Sequence, residues 1–140
     1  MSATPYFTVC GYKVTSERMH EADTQVQAIV EVRIGHNCVR RQATGVGPVH
    51  ALDNALRACL ANDFPELADV RLSDYRVSVV DAGDGTGAEV RVLIESTDGR
   101  ARWDAGCVSA NVLDASFEAL CSTAVLGIMR ARASVTSVPA

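Results

Sequence analysis

The side chains best suited to chemistry in this chain are few and dispersed. The three histidines, His20, His36 and His50, are scattered, and none has a second ligand at a spacing that would close on a metal ion. The five cysteines, Cys10, Cys38, Cys59, Cys107 and Cys121, are odd in number and include no CxxC pair. They outline neither a zinc site nor a disulfide framework and read as buried thiols of a reducing compartment. Gly83, Gly85 and Gly87 imitate a phosphate loop. Such a loop leads into a helix and carries Lys followed by Ser or Thr, whereas this one leads into the strand-like run at Val90 beside Glu89. For proton transfer the candidates are His50, Asp53, Asp74 and Tyr75, with Tyr75 or His50 as the acid–base group. No nucleophile stands at a telling distance from a base. The expectation is therefore no catalytic residue, no metal and no cofactor.

The elements that would position these groups form a repeat. Gly11-Tyr12-Lys13-Val14 resembles Asp74-Tyr75-Arg76-Val77, and Tyr12 and Tyr75 are 63 positions apart, as are Val49 and Val112. In the first half, Tyr6 to Val14 reads as a strand. Val26, Ala28, Val30, Val32 and Ile34 alternate with polar residues, apart from Ile29, and form a second, half-buried strand. Gly35-His36-Asn37 is the turn to a third strand, Cys38 to Thr44. Gly47-Pro48 opens a helix, because proline at the first helical position loses no hydrogen bond. Val49, Leu52, Leu56, Cys59 and Leu60 line one face of it, and Pro65 follows its end.

The second half repeats the plan. Val70 to Val80 is a strand, residues 81–87 are a loop, and Val90, Val92 and Ile94 alternate as the next strand. Thr97-Asp98-Gly99 turns into Arg102 to Val108, and Ser109 is the expected N-cap of a last helix bearing Val112, Ala115, Leu120, Ala124 and Ile128. The fold class is α+β: two pseudo-repeated βββα units, each an antiparallel sheet covered by a helix. The expected organisation is one domain over 1–140, with units at about 6–62 and 68–130 and a frayed tail over 131–140. One unit alone is small for a stable core, and two share one.

Composition agrees with an ordinary folded chain: 140 residues, 48% hydrophobic and 21% charged. Aromatics are only 5%, so Val, Leu, Ile and Ala must build the core. A net charge of −4, with Arg40-Arg41 as the one adjacent basic pair, excludes a basic nucleic-acid-binding face; neighbours on a strand point to opposite sides. No basic segment followed by an apolar run marks a secretion signal. No apolar stretch approaches the roughly 20 residues that span a bilayer. The expectation is a cytoplasmic chain.

Four runs carry a resemblance. They are Gly45-Val46-Gly47-Pro48-Val49-His50-Ala51-Leu52-Asp53-Asn54-Ala55-Leu56, the run from Leu67 to Val77, the run from Val90 to Gly99, and the run from Val108 to Ser116. In this order, and over roughly residues 6 to 130, they resemble the C-terminal regulatory domain of the 2-isopropylmalate and citramalate synthases. The resemblance implies a pair of βββα units that forms a homodimer, binds leucine or isoleucine near the dimer interface and inhibits a (β/α)₈ catalytic domain. That barrel and its His-x-His metal ligands are not in this sequence, so synthase activity is not carried over.

By the same resemblance the effector site uses Val49, Leu72, Tyr75, Val79 and Val112 for an apolar side chain, with Thr86 adding a hydroxyl. Val49 and Val112 stand at helix starts, whose free backbone N–H groups suit a carboxylate. Gly45 and Gly47 let the backbone approach closely. Burying a leucine-sized side chain contributes about 1.5–3 kcal/mol before ordering costs. The ammonium has no assigned partner. Read without the family, Val49, Leu72, Val79 and Val112 are core residues, Tyr75 is a packed strand residue like Tyr12, and the glycines are turn residues. The family commonly has Asn where this chain has Val46, a change that alters effector choice, abolishes binding or presents Val46 to a partner.

Three functions follow: a branched-chain amino-acid sensor, dimeric and paired with a synthase catalytic subunit in cis or in trans; the same fold repurposed as a small enzyme or metabolite-binding protein of a specialised pathway; or a dimerisation scaffold with a decayed effector site. Effector binding, turnover or neither separates them.

Overall fold

The computed structural model describes residues 3–81 and 87–136. The period-two runs become strands β1 (Thr8–Glu17), β2 (Gln25–Ile34) and β3 (Asn37–Gly45), followed by helix α1 (Pro48–Leu60). A short 3₁₀ helix, Pro65–Asp69, leads into β4 (Arg71–Asp81), β5 (Glu89–Thr97), β6 (Arg102–Ser109) and helix α2 (Val112–Thr136). Each half is an antiparallel three-stranded sheet in the order β1-β2-β3 or β4-β5-β6, followed by its helix. The chain divides into two compact units, Met1–Asp63 and Phe64–Ala140.

Both β2–β3 and β5–β6 turns place glycine where only glycine is comfortable, Gly35 at φ 61° and Gly99 at φ 91°. The repeat extends to an irregularity that alternation does not reveal. The β1–β2 register slips between Val9 and Gly11, and the β4–β5 register slips between Leu72 and Asp74. The extra residues, Cys10 and Ser73, are again 63 positions apart. A bulge puts two residues opposite one and so resets which later side chains face inward. This is why Leu72 and Tyr75, three residues apart, pair with Ser96 and Ile94 on one face. Ile29, which breaks the alternation of its strand, pairs with Lys13 and Gln42 on the outer face of the first sheet.

In the first unit α1 packs mainly on β3 and β2. Its Ala51, Leu52, Ala55, Leu56, Cys59 and Leu60 are buried against Val26, Ala28, Val30 and Val32 of β2. The Cys59 thiol donates to the carbonyl of Val30 at 3.3 Å. In the second unit α2 packs on β6 and β5 and beside the 3₁₀ helix. Val92 and Ile94 lie beneath it, and Trp103 Nε1 donates to the Thr123 carbonyl at 2.9 Å. Burial of each such Leu, Ile or Phe contributes about 1.5–3 kcal/mol.

Several expectations are corrected here. The α2 N-cap is Asn111: its Oδ1 accepts from the N–H groups of Leu113 and Asp114 at 2.9 and 3.1 Å, while Ser109 Oγ accepts from Asn111 N. The last helix runs through residues 131–136, where a frayed tail is expected, because Ala131-Arg132-Ala133 are strong helix formers. Arg132 also lies 3.8 Å from Glu66 and over the Phe64 ring. Val112–Ala133 is 22 residues long and apolar enough to meet the length and composition of a bilayer span, contrary to the sequence expectation. Half of its apolar stretch is buried inside the chain's own structure, as befits the cover of a sheet. Finally, only Cys59 and Cys121 are buried; Cys10 and Cys38 are exposed and Cys107 is half-buried. Cys10 occupies the β1 bulge and Cys38 the outer face of β3, opposite Arg33.

Candidate functional site

β4 is an edge strand, and α2 covers its neighbours more than it covers β4 itself. The inward side of β4 is consequently open. Tyr75, Val77 and Val79 pair with Ile94, Val92 and Val90 and so share their face of the sheet. Ile94 and Val92 are fully buried, yet Tyr75 is 40% exposed, Val77 46% and Val79 61%. Val112, at the first turn of α2, is 41% exposed, and Leu72 is half-buried. Residues that a complete βββα core would enclose here form an uncovered apolar strip.

One hydrogen-bonded chain ties this strip to the helix. The Tyr75 hydroxyl lies 2.8 Å from Ser116 Oγ, and Ser116 donates to the Val112 carbonyl at 2.7 Å. Ser116 is fully buried. Of the sites expected from the sequence, Tyr75 and Val112 are thus joined through a residue the sequence reading missed. The available signal was a hydroxyl on an otherwise apolar helix face, between Ala115 and Phe117. Its counterpart in the first repeat, 63 positions earlier, is Asp53, which pairs with Arg57 at 3.0 Å. Leu72 and Val79 lie on the same strand face as Tyr75. Thr86 lies outside the described residues, as do Gly83 and Gly85.

Gly45, Gly47 and Val49 belong to the first unit, at the β3–α1 junction. A β-carbon on Gly45 would stand 2.4 Å from Ala51 N, so this position admits no side chain. Gly47 meets nothing within 4 Å and has an extended φ of −145°, so the close backbone contact is at Gly45 alone of the two. No side chain caps α1. Instead His50 Nδ1 accepts from the Val46 N–H at 3.0 Å, which makes its neutral form the tautomer protonated on Nε2. Val46 itself is 90% exposed. Among the described residues, no group of three His, Cys, Asp or Glu side chains could hold a metal ion.

The second of the two βββα units thus carries an open apolar strip beside the Tyr75 phenol. Residues 2–126 match the family model described as the LeuA allosteric (dimerisation) domain, and the chain belongs to that family. It is 45% identical over 116 residues to an (R)-citramalate synthase of Geobacter sulfurreducens, covering 82% of this chain and 22% of that protein. An (R)-citramalate synthase of Synechocystis sp. is 40% identical over 120 residues, with 83% and 22% covered. One from Streptomyces coelicolor is 35% identical over 126 residues, with 90% and 24% covered. The chain therefore spans less than a quarter of the length of these relatives.

Proposed function

We propose that this chain is the effector-sensing part of a citramalate-synthase-like system: a homodimeric module that binds leucine or isoleucine and transmits its occupancy to a catalytic subunit or domain. The carrying observation is the exposed row Tyr75, Val77 and Val79 beside Val112, held in register by the Tyr75–Ser116 contact. A branched aliphatic side chain matches that surface, and exposed apolar side chains on an edge strand need covering. We assign the apolar part of the site to Leu72, Tyr75, Val79 and Val112; Gly45, Gly47, Val49 and Thr86 stay assigned by the family resemblance alone. The same reading places the chain in the cytoplasm.

Calorimetric titration with leucine, isoleucine and valine tests the sensor. Saturable binding of one in preference to the others supports it and names the effector. No heat at millimolar ligand removes it and favours a scaffold, the reading that an exposed Val46 in the loop before α1 would then serve. Light scattering tests the dimer: a monodisperse monomer at micromolar concentration would remove it.

A further inference from the structure

We infer that neutral His50 is a proton-sensitive latch on the β3–α1 loop, and that its protonation at mildly acidic pH opens the loop and weakens effector binding; the last step rests on the sensor reading above. The two ends of the loop are held differently. Asn54 Nδ2 donates to the Thr44 carbonyl at 3.0 Å, and Gly45 is pinned by the close approach of Ala51. Beyond them no side chain caps α1, and Gly47 has open space around it. Val46 is held by the 3.0 Å bond from its N–H to His50 Nδ1. From the third helical position this ring reaches back over the helix start, as the acceptor of a capping box does, one residue further out than usual.

A ring nitrogen accepts only while it is unprotonated. Histidine changes charge between about pH 5 and 8, and His50 is exposed to solvent protons. Once Nδ1 carries a proton, two N–H groups face each other and the contact is lost. The new charge also stands in the first turn of α1, at the positive end of the helix dipole, and that turn has no acidic residue to offset it. The sheet does not offset it either. β2 presents Val26, Ala28 and Val30 to α1, and β1 presents Ser16, Val14 and Tyr12 opposite them. β3 presents Ala43 and Gly45, with Arg41 further along beside Cys59. On α1 the nearest charge is Asp53, one turn on and paired with Arg57 at 3.0 Å. The loop is therefore closed at the upper end of that pH range and released toward the lower end. The matching position of the second repeat, 63 residues on, is Leu113, and α2 starts on the Asn111 cap, which does not titrate. The latch belongs to the first unit, and it governs the segment that carries Gly47 and Val49 of the effector assignment.

The test follows hydrogen exchange of the Val46 amide by NMR on the full chain at about pH 8 and about pH 5, with protection taken as the intrinsic rate at each pH over the observed one. In the wild type, protection is expected to fall about threefold or more toward the lower pH, the scale of one modest hydrogen bond. His50→Asn puts an oxygen where Nδ1 stands and keeps an acceptor that does not titrate, so protection should be the same at both pH values. His50→Gln, a common acceptor at this helix position, repeats the test should His50→Asn not fold. His20 and His36 are present in every variant and cancel. Calorimetry with leucine and with isoleucine at the same two pH values should show affinity falling about threefold or more in the wild type and holding steady in His50→Asn. Protection unmoved by pH in the wild type, or moved as much in His50→Asn, would overturn the latch. A latch that opens while both affinities hold steady would overturn its link to the effector site. No binding of either amino acid at either pH would remove the sensor reading and that link with it, while the Val46 amide still decides the latch.

Discussion

A β-carbon on Gly45 would lie 2.4 Å from the backbone nitrogen of Ala51 and 2.8 Å from its Cα. The end of β3 and the first turn of α1 meet there backbone to backbone, and no rotamer change can relieve an added methyl group. Gly47, two residues on, faces open space. Gly45→Ala is therefore expected to destabilise the fold by about 1–3 kcal/mol or more, as overpacking does. Gly47→Ala should cost under about 1 kcal/mol, the loss of a glycine N-cap. Urea denaturation followed by circular dichroism separates the two; equal costs would mean that the contact is not rigid.

The β5–β6 turn is held by the Thr97 hydroxyl, which accepts from Gly99 N and donates to the Ala101 carbonyl, and by one carboxylate. Asp98 Oδ1 accepts from the N–H groups of Arg100 and Ala101, both at 2.9 Å. Those bonds, Ala101 first, hold the carboxyl below its ordinary 3.8. The depressed value belongs to the folded state, so the contribution is present above pH 3.8 and is lost as pH falls through the folded value. NMR titration of the Asp98 carboxyl should give a midpoint below 3.8, and Asp98→Asn should remove that part of the acid dependence. An ordinary midpoint would show that the turn does not hold the carboxylate.

The element order was legible because each strand faces one sheet side to a helix and the other outward, which writes period two into Val26 to Ile34 and Val90 to Ile94. Both helix starts were legible too, at Pro48 and Val112. The bulges at Cys10 and Ser73 were not, since one extra residue leaves composition unchanged and shifts only the pairing. The exposed strip was hidden for a related reason: apolar residues on a strand look the same whether a helix covers them or not, so Val79 reads as core until α2 is seen to lie over β5 and β6. Ser116 was out of reach because its partner, Tyr75, is 41 residues away. The thiols at Cys10 and Cys38 were misjudged because a cysteine carries no polarity signal of its own.

Trp103, the chain's single tryptophan, joins β6 to α2. Its indole N–H donates to the Thr123 carbonyl at 2.9 Å in a buried setting, and the Arg130 guanidinium stands 5.3 Å from its ring centroid. Trp103→Phe keeps an aromatic ring but removes the donor, leaving the Thr123 carbonyl without that bond. The expected loss is about 1–3 kcal/mol in a urea melt followed by circular dichroism. A change under about 0.5 kcal/mol would mean that the bond contributes nothing net.

The cysteines divide by exposure into reactive and silent thiols, and the silent pair makes stability depend on alkaline pH. Burial raises both Cys59 and Cys121 above the ordinary 9.0; the Arg41 backbone and charge oppose this at Cys59, and Glu118 adds to it at Cys121. In the native state Cys10 and Cys38 should react with a thiol reagent at once, while Cys59 and Cys121 wait for denaturant. The thermodynamic sign follows from the same shift. Above pH 9.0 the unfolded thiols ionise while the folded ones keep their protons, so the unfolded state binds fewer protons and stability falls as pH rises. Below pH 9.0 both states are protonated and the pair contributes no slope. Each thiol has a limiting slope of about 1.4 kcal/mol per pH unit between its unfolded and folded values. Urea melts from about pH 8 to about 9.8, below the ordinary tyrosine and lysine values, should show stability declining above pH 9. In Cys121→Ala that decline should be shallower, even though the variant starts less stable from the lost packing. An unchanged slope in Cys121→Ala would mean that this thiol is not held neutral by burial.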